Sequence, residues 1–206
     1  MPKGGKGWKR GGRGRRGNKI IRPYPGGTFQ PRFPFYVVLD FEATCSDNRS
    51  EVPPHLQEII EIPSVLIDAR QHPPRAVAEI QVYVRPVAIP QLTKFCTELT
   101  GITQQVVEEQ GVLFDEGFRL HVEWLRKHGL DPDRPEQKFA IVTCGNWDLK
   151  SMLPRQLQMQ SRRGSKQCKA PRCYQRWVNI KDACVRLPCT HGRSGRLLHP
   201  SNSKFV

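Results

Sequence analysis

Apolar and polar positions follow strand-like patterns along the first half of this sequence. Runs rich in Val, Ile and Tyr, bounded by Pro and polar residues, predict strands over residues 35–42, 58–68 and 78–85. Pro63 lies inside the second run, and because proline cannot donate to a strand ladder, it predicts a bulge or an edge position there. Three strands at this spacing predict an antiparallel meander.

The second half of the sequence alternates helical and strand patterns. Phe114, Phe118, Val122 and Leu125 recur at helical spacing, which predicts an amphipathic helix over about 112–128. The other predicted elements are a short helix opened by Pro90 and closed by Gly101, a strand over 139–144, a helix from Leu149 to about Met159 and a short strand over 177–180. Together these elements predict an α/β or α+β fold with a mixed central sheet.

Basic residues are concentrated at the two ends of the 206-residue chain, whose net charge is +14. Residues 1–39 contain ten Lys/Arg and no acid, and residues 161–206 contain eleven Lys/Arg and one acid. The middle of the chain is therefore acidic. Basic ends that neutralise phosphate around acids that hold cations would suit an enzyme acting on a polyanion. A solvated basic surface is the alternative.

Composition divides the chain into a basic Gly/Arg-rich tail over 1–32, a domain over 33–182 and an irregular basic tail over 183–206. The first tail has too few aliphatic residues to fold, so we expect it to be disordered. Such segments bind single-stranded nucleic acid through phosphate charge and stacking. The basic residues expected to do so are Lys9, Arg10, Arg13, Arg15 and Arg16.

Two carboxylates stand at the end of the first predicted strand. Asp40 and Glu42 are two positions apart, so their side chains are expected on the same face, about 7 Å apart. Carboxylates in such a place are costly unless they are paired, protonated or bound to a cation such as Mg²⁺. The alternative is a solvated strand end. Asp148, where a strand gives way to a helix, could face the same crevice or could only cap the helix.

The sequence contains several short motifs in this order: YVVLDFEATC, IIEIP, YVRP, FCTELTGIT, TCGNWDLKSML and WVNI. Over about residues 33–182 the sequence resembles the enhancer-of-RNAi type of 3′-5′ exoribonuclease, which includes the histone-mRNA 3′-end exonuclease, within the DEDDh (DnaQ-like) superfamily. The resemblance implies an RNase H-like α/β fold, with a mixed central sheet flanked by helices. It also implies a substrate, the single-stranded 3′ end of RNA, and a protein that acts as a monomer.

The resemblance implies roles for individual residues as well. Asp40, Glu42 and Asp148 match three of four acidic ligands for two Mg²⁺ or Mn²⁺ ions, which would generate the attacking hydroxide and stabilise the leaving 3′ oxygen. Residues matching the nucleotide site are Ala43 and Thr44, through their backbone, and Trp147, Phe95 and Leu99, through their side chains. For these three side chains an ordinary place in the core is the alternative.

The chain departs from the family where a helix carrying His, four residues and the fourth acid is expected. No acid follows Asp182, and His191 and His199 are each followed five positions later by a base. The His-x4-acid pair His128–Asp133 precedes Asp148, so it cannot supply this motif. We therefore expect a truncated or alternatively spliced product with one sheet face uncovered. Its activity would be impaired, or it would be an inactive module that binds RNA 3′ ends.

The seven cysteines, an odd number, favour free thiols in a reducing compartment. No apolar run is long enough for a membrane span and no signal-peptide pattern is present, so we expect an intracellular protein of the nucleus or cytoplasm. Cysteines between Cys168 and Cys189 have loosely zinc-like spacing, although free thiols in a basic loop are the stronger interpretation.

Overall fold

The computed structural model describes residues 31–165 and 169–185. Several sequence-based predictions concern residues outside this part of the chain. These are the nucleic-acid-binding tail with Lys9, Arg10, Arg13, Arg15 and Arg16, most of the C-terminal tail with His191 and His199, and Cys168 and Cys189 of the zinc hypothesis.

A mixed six-stranded sheet forms the centre of the described domain. Its strands are β1 (Phe35–Leu39), β2 (Glu42–Ala43), β3 (Ile59–Asp68), β4 (Arg75–Tyr83), β5 (Phe139–Thr143) and β6 (Trp177–Asn179). Strand β3 runs antiparallel to β4 on one side and to β1 and β2 on the other. Strand β5 is parallel to β1, and β6 is parallel to β5. The predicted meander and mixed sheet are therefore confirmed.

The predicted first strand is interrupted just where its carboxylates begin. Leu39 pairs with Ser64 and Glu42 pairs with Glu61, so Pro63 lies opposite the break between β1 and β2. Proline has no N–H to donate, which is a physical reason for the ladder to stop there. The predicted edge position of Pro63 is wrong, because β3 has neighbours on both sides.

Five α-helices and a π-helical segment lie in the described part of the chain. Their bounds are α1 (Lys94–Thr100), α2 (Gln104–Glu109), α3 (Phe114–Lys127), the π-helical segment (Trp147–Met152), α4 (Leu153–Arg162) and α5 (Ile180–Val185). Short 3-10 turns occupy Pro54–Leu56, Pro135–Gln137 and Arg172–Gln175.

Helices α1, α2 and α5 differ from the predictions, and the helix predicted from Leu149 to about Met159 is divided between the π-helical segment and α4. Helix α1 begins at Lys94 rather than near Pro90, because the Thr93 hydroxyl accepts the Cys96 N–H at 2.9 Å and caps it there. Gly101 ends it with φ +76°, in the left-handed region that favours glycine. Helices α2 and α5 were not predicted, and the predicted last strand ends one residue earlier, at Asn179.

Helix α3 covers one face of the sheet as its pattern predicts. Phe114, Phe118, Val122 and Leu125 are all buried and share one cluster with the buried residues of β1, β3 and β5, to which the π-helical segment and α4 also contribute. A second, smaller cluster joins Ile60 of β3 to α1 and α2. The two clusters fix the helices on which the site residues lie.

The opposite face of the sheet carries apolar side chains that the described residues leave partly uncovered. Val38 of the central strand β1 is 41% exposed. Its Cα partners Val65 and Val142 are only half-buried, and so is Val178, the partner of Val142. Within the described residues this face of the central strand is therefore only partly covered, and the missing covering element stays a prediction.

Four cysteines in the described part of the chain, Cys45, Cys96, Cys144 and Cys173, are free thiols, as expected. None of the helices there has the length and apolar character that a membrane span requires.

Candidate active site

Three carboxylates meet at the edge of the sheet where β1 and β5 end. Because these strands are parallel, their carboxyl ends lie side by side, and residues that follow them share one crevice. Asp40 and Glu42 follow β1, and Asp148 lies in the π-helical segment after β5. The backbone N–H of Phe41 donates to Asp148 Oδ1 at 2.9 Å, which fastens Asp148 between the other two residues.

The interpretation of Asp148 as a helix cap is wrong. Asn146 occupies the capping position and makes no side-chain cap, whereas Asp148 lies inside the segment, only 3% exposed. Its side chain accepts a hydrogen bond from the N–H of Phe41, which lies between β1 and β2, and so joins the segment to the sheet. The wide π-helical turn that carries it is rare in proteins and frequently occurs at functional sites.

Burial raises the pKa of all three carboxylates, and neighbouring acids add to the effect at Glu42 and Asp148. Burial, together with the charges of Asp40, Glu61 and Asp148, raises the pKa of Glu42 to about 7. Burial raises the pKa of Asp40, and the charge of Lys181 opposes that effect. Burial likewise raises the pKa of Asp148, with the Phe41 N–H and Lys181 acting against it and Asp40 adding to it. The charge of Lys181 therefore offsets the effect of burial on Asp40 and Asp148 only in part.

Glu61 and Lys181 belong to this site although sequence reasoning did not identify them. Glu61 is buried on β3 as the Cα partner of Glu42, and its Oε1 accepts from Gln81 Nε2 at 2.5 Å. Lys181 follows β6, at the same edge of the sheet. The signal for Lys181 was its position after a predicted strand, whereas Glu61 depends on strand register, which the sequence does not give.

The donor set of the cluster suits a hard divalent cation. Within residues 31–165 and 169–185, no three His, Cys, Asp or Glu side chains are close enough to hold one ion without rearrangement. However, Asp40, Glu42 and Asp148 offer carboxylate oxygens, the ligands that Mg²⁺ and Mn²⁺ prefer. A dication would also offset the repulsion between acids that adds to burial in raising the pKa of Glu42 and Asp148.

The residues matched to the nucleotide site lie on β2, on α1 and beside Asp148. Thr93 Oγ1 donates to the Cys45 carbonyl at 2.7 Å, and Cys96 Sγ donates to the Ala43 carbonyl at 3.6 Å, so α1 is fastened along β2. The N–H of Thr44 donates to the Glu58 carbonyl at 2.8 Å and its hydroxyl accepts the Glu58 N–H. Because the Ala43 carbonyl and the Thr44 N–H already have hydrogen-bond partners within the fold, a nucleotide would contact other backbone atoms of this segment.

Side-chain exposure decides between a place in a pocket and a place in the core for two of the three apolar residues. Leu99 is 57% exposed and Trp147 is 41% exposed, so the core interpretation is wrong for both. Phe95, one helical turn before Leu99 on α1, is half-buried. An exposed tryptophan adjacent to Asp148 gives a flat surface on which a base could stack.

Comparisons with known proteins agree with this arrangement. The exonuclease family of RNase T matches residues 37–186. ERI1 exoribonuclease 3 of Homo sapiens is 41% identical over 157 residues, which cover 76% of this chain and 42% of that protein. The 3′-5′ exoribonuclease 1 of Rattus norvegicus is 34% identical, over 72% of this chain and 39% of that protein. The chain thus spans less than half the length of these relatives.

Solved structures give the same result. The nuclease domain of 3′hExo, a DEDDh family member bound to rAMP, superposes with a TM-score of 0.63 and 32% identity, over 76% of this chain and 72% of that domain. A 3′-exonuclease that recognises the 3′ end of a histone mRNA stem-loop gives the same TM-score, with 30% identity, over 75% of this chain and 62% of that chain. The fold is therefore RNase H-like, and the chain belongs to the DEDDh exonuclease family, in its histone-mRNA 3′-end or enhancer-of-RNAi type.

Proposed function

We propose that this chain is a 3′-5′ exonuclease that acts on RNA and uses two divalent ions, Mg²⁺ or Mn²⁺, held by Asp40, Glu42 and Asp148. One observation carries the proposal. Residues 107 positions apart in sequence are joined by the hydrogen bond from Phe41 to Asp148, so the three carboxylates meet at one edge of the sheet. The similarity to the two exoribonucleases supports the reaction class.

Each carboxylate contributes differently. Asp40 is exposed, so it is accessible to both substrate and ions, whereas Asp148 is buried and fixed by Phe41. Glu42, with its pKa raised to about 7, would lose its proton as a dication binds. Bound ions of this kind lower the pKa of an attacking water and stabilise the leaving 3′ oxygen.

RNA is the substrate that the surroundings favour. Single-stranded RNA is bound by stacking its bases on exposed aromatic side chains, and Trp147 offers such a surface beside the carboxylates. Phe95 and Leu99 would contact the terminal nucleotide from α1. The RNA-related names of the relatives point the same way.

An inactive RNA 3′-end binding module is the second candidate, and a specific observation favours it. No acid follows Asp182, so the fourth carboxylate and the accompanying histidine are missing from this sequence. Loss of a general base alone costs about 10²–10⁴-fold in rate. Under this alternative the chain would bind RNA ends without shortening them.

The test compares linear and circular forms of one single-stranded RNA. The linear form carries a 5′ label, and each form is incubated with the full chain and Mg²⁺, Mn²⁺ or EDTA. We expect stepwise shortening of the linear RNA from its 3′ end with either ion, and no cleavage in EDTA. The circular RNA, which has no 3′ end, is expected to stay intact.

Two results would contradict the exonuclease proposal. Cleavage of the circular RNA would show an internal cut rather than an end-dependent one. Intact linear RNA that nevertheless binds the chain, measured by fluorescence anisotropy, would favour the binding module.

A further inference from the structure

A single lysine stands at the edge of the carboxylate cluster. Lys181 is the second residue of α5 and follows β6, whose parallel partner β5 leads to Asp148. The carboxyl ends of β1, β5 and β6 lie along one edge of the sheet, so Lys181 reaches the crevice from the side opposite β3.

Two hydrogen bonds fix the backbone that carries this lysine. Trp177 Nε1 donates to Asn146 Oδ1 at 3.1 Å, which joins the start of β6 to the turn before Asp148. The Lys181 N–H donates to Asn179 Oδ1 at 3.0 Å, which shapes the exit from β6. Lys181 therefore has a defined starting point next to the site.

The ammonium group lies over the turn after β5. A Cβ on Gly145 would stand 3.8 Å from Lys181 Nζ, and Gly145 itself has φ +116°, a conformation that favours glycine. No side chain at position 145 therefore stands between the lysine and the backbone that leads to Asp148.

Lys181 is close to the carboxylates but is not paired with them. Its charge lowers the pKa of both Asp40 and Asp148, against the effect of burial. Yet within the described residues no carboxylate oxygen lies within 4.0 Å of Nζ. An ammonium has three donors and no acceptor, and lysine binds phosphate as a point charge.

We propose that Lys181 binds the phosphate of the 3′-terminal nucleotide, with its ammonium held over the Gly145 turn beside Asp40 and Asp148. The assignment rests on the proposed exonuclease function, because it places the scissile phosphate at this edge of the sheet. The alternative role is a counter-charge that only offsets the acidic cluster and does not touch the substrate.

The test measures how much a phosphate group adds to binding. Dissociation constants for AMP and adenosine are measured by calorimetry, in Mg²⁺, with the full chain and with Lys181→Met. We expect Lys181→Met to weaken AMP binding about tenfold, the size of a hydrogen bond to a charged group, and to leave adenosine binding unchanged. Lys181→Arg keeps the charge and is expected to recover most of the loss.

Lys94→Met is the matched control, because Lys94 is an exposed lysine on α1 whose loss changes the net charge equally. Equal weakening of AMP binding by Lys94→Met and Lys181→Met would overturn the assignment, as would a Lys181→Arg variant as weak as Lys181→Met. Thermal melting of each variant verifies folding. RNA shortening by the wild-type chain is scored separately. If it fails while the AMP contrast holds, the exonuclease proposal falls and Lys181 remains a phosphate-binding residue.

Discussion

Among single residues, buried acids near the sheet edge differ in how many donors they meet. Glu58 is almost fully buried, and it accepts from the N–H groups of Val87 and Ala88 and from Arg163 Nη1 at 2.6 Å. Glu42 has three acidic neighbours instead, which help to raise its pKa to about 7. A buried carboxylate whose oxygens accept hydrogen bonds, such as Glu58, stabilises the fold. A carboxylate with acidic neighbours, such as Glu42, is suited to binding a cation.

Glu58→Ala is therefore expected to destabilise the protein strongly. It would leave two backbone N–H groups and Arg163 without their acceptor, at a cost of about 3 kcal/mol in the free energy of unfolding. The measurement is urea denaturation followed by circular dichroism. Glu123→Ala is the control, since Glu123 pairs with Arg119 at the surface and its loss should cost less than about 1 kcal/mol. Similar losses for the two variants would contradict this account of Glu58.

Between elements, a buried histidine joins three parts of the fold. His121 of α3 is fully buried; its Nε2 is 2.7 Å from Ser64 Oγ on β3, and its Nδ1 is 2.5 Å from Tyr174 Oη in the 3-10 turn Arg172–Gln175. Burial lowers the pKa of His121 to about 3. The histidine is therefore neutral in the folded protein and holds α3 on the sheet through two hydrogen bonds.

This depressed pKa predicts loss of stability in mild acid. The ordinary pKa of histidine is 6.5. Between pH 6.5 and 3, His121 is therefore protonated in the unfolded chain and neutral in the folded chain. Stability due to this group is complete above pH 6.5 and declines as the pH falls, by about 2 kcal/mol at pH 5. Denaturant unfolding at pH 7 and pH 5 measures it.

His121→Gln removes the titrating group. The change in the free energy of unfolding between pH 7 and pH 5 should therefore shrink by about 2 kcal/mol, even though the variant is less stable overall. His128→Gln, at the C-terminal end of the same helix and only half-buried, is the control and should behave like the wild type. An unchanged pH difference in His121→Gln would refute the account.

The elements that could be predicted are those whose pattern is local. Helix α3 has a four-residue apolar stripe and β1 a continuous apolar run, so both were found from sequence. Helix α2 is six residues long and buries only Val107, so it is too short to show a helical pattern of apolar residues. The π-helical segment depends on packing at the sheet edge, and sequence reasoning could place Asp148 only at a strand-to-helix turn.

Some residues of the candidate site could be proposed from the sequence and others could not, for one physical reason. Asp40 and Glu42 could be identified because strand periodicity places neighbours two apart on one face. Glu61 and Lys181 reach the same crevice only through the pairing of β2 with β3 and of β5 with β6. The position of Lys181 after a predicted strand was a local signal. The register that brings both residues to the crevice is set by the whole sheet, and no local pattern contains it.

For the molecule as a whole, the described residues cover one face of the sheet more fully than the other. Val38 is 41% exposed, whereas its neighbour Val37, whose side chain points to the other face, is fully buried. The family's third motif would lie on a further helix, for which this sequence has no His-x4-acid pattern after Asp148. The loss of that helix stays a prediction.

Val37→Ala and Val38→Ala test this asymmetry as a matched pair. The first removes packed methyl groups from the core and should cost about 2 kcal/mol in the free energy of unfolding. The second should cost less than about 0.5 kcal/mol, as at other exposed positions. Urea denaturation measures both. Equal costs would show that Val38 is covered in solution and that the face is not open.

The central claim is that the carboxylate cluster hydrolyses RNA, and the most direct measurement is the rate of RNA shortening by Asp40→Asn. This change keeps the shape of the side chain and removes a charge that the ions need. The account predicts a loss of at least about 100-fold in the presence of Mn²⁺, with the melting temperature unchanged or raised. Asp47→Asn, an exposed loop residue close in sequence, should retain full activity. Shortening of RNA by Asp40→Asn at the wild-type rate would contradict the account.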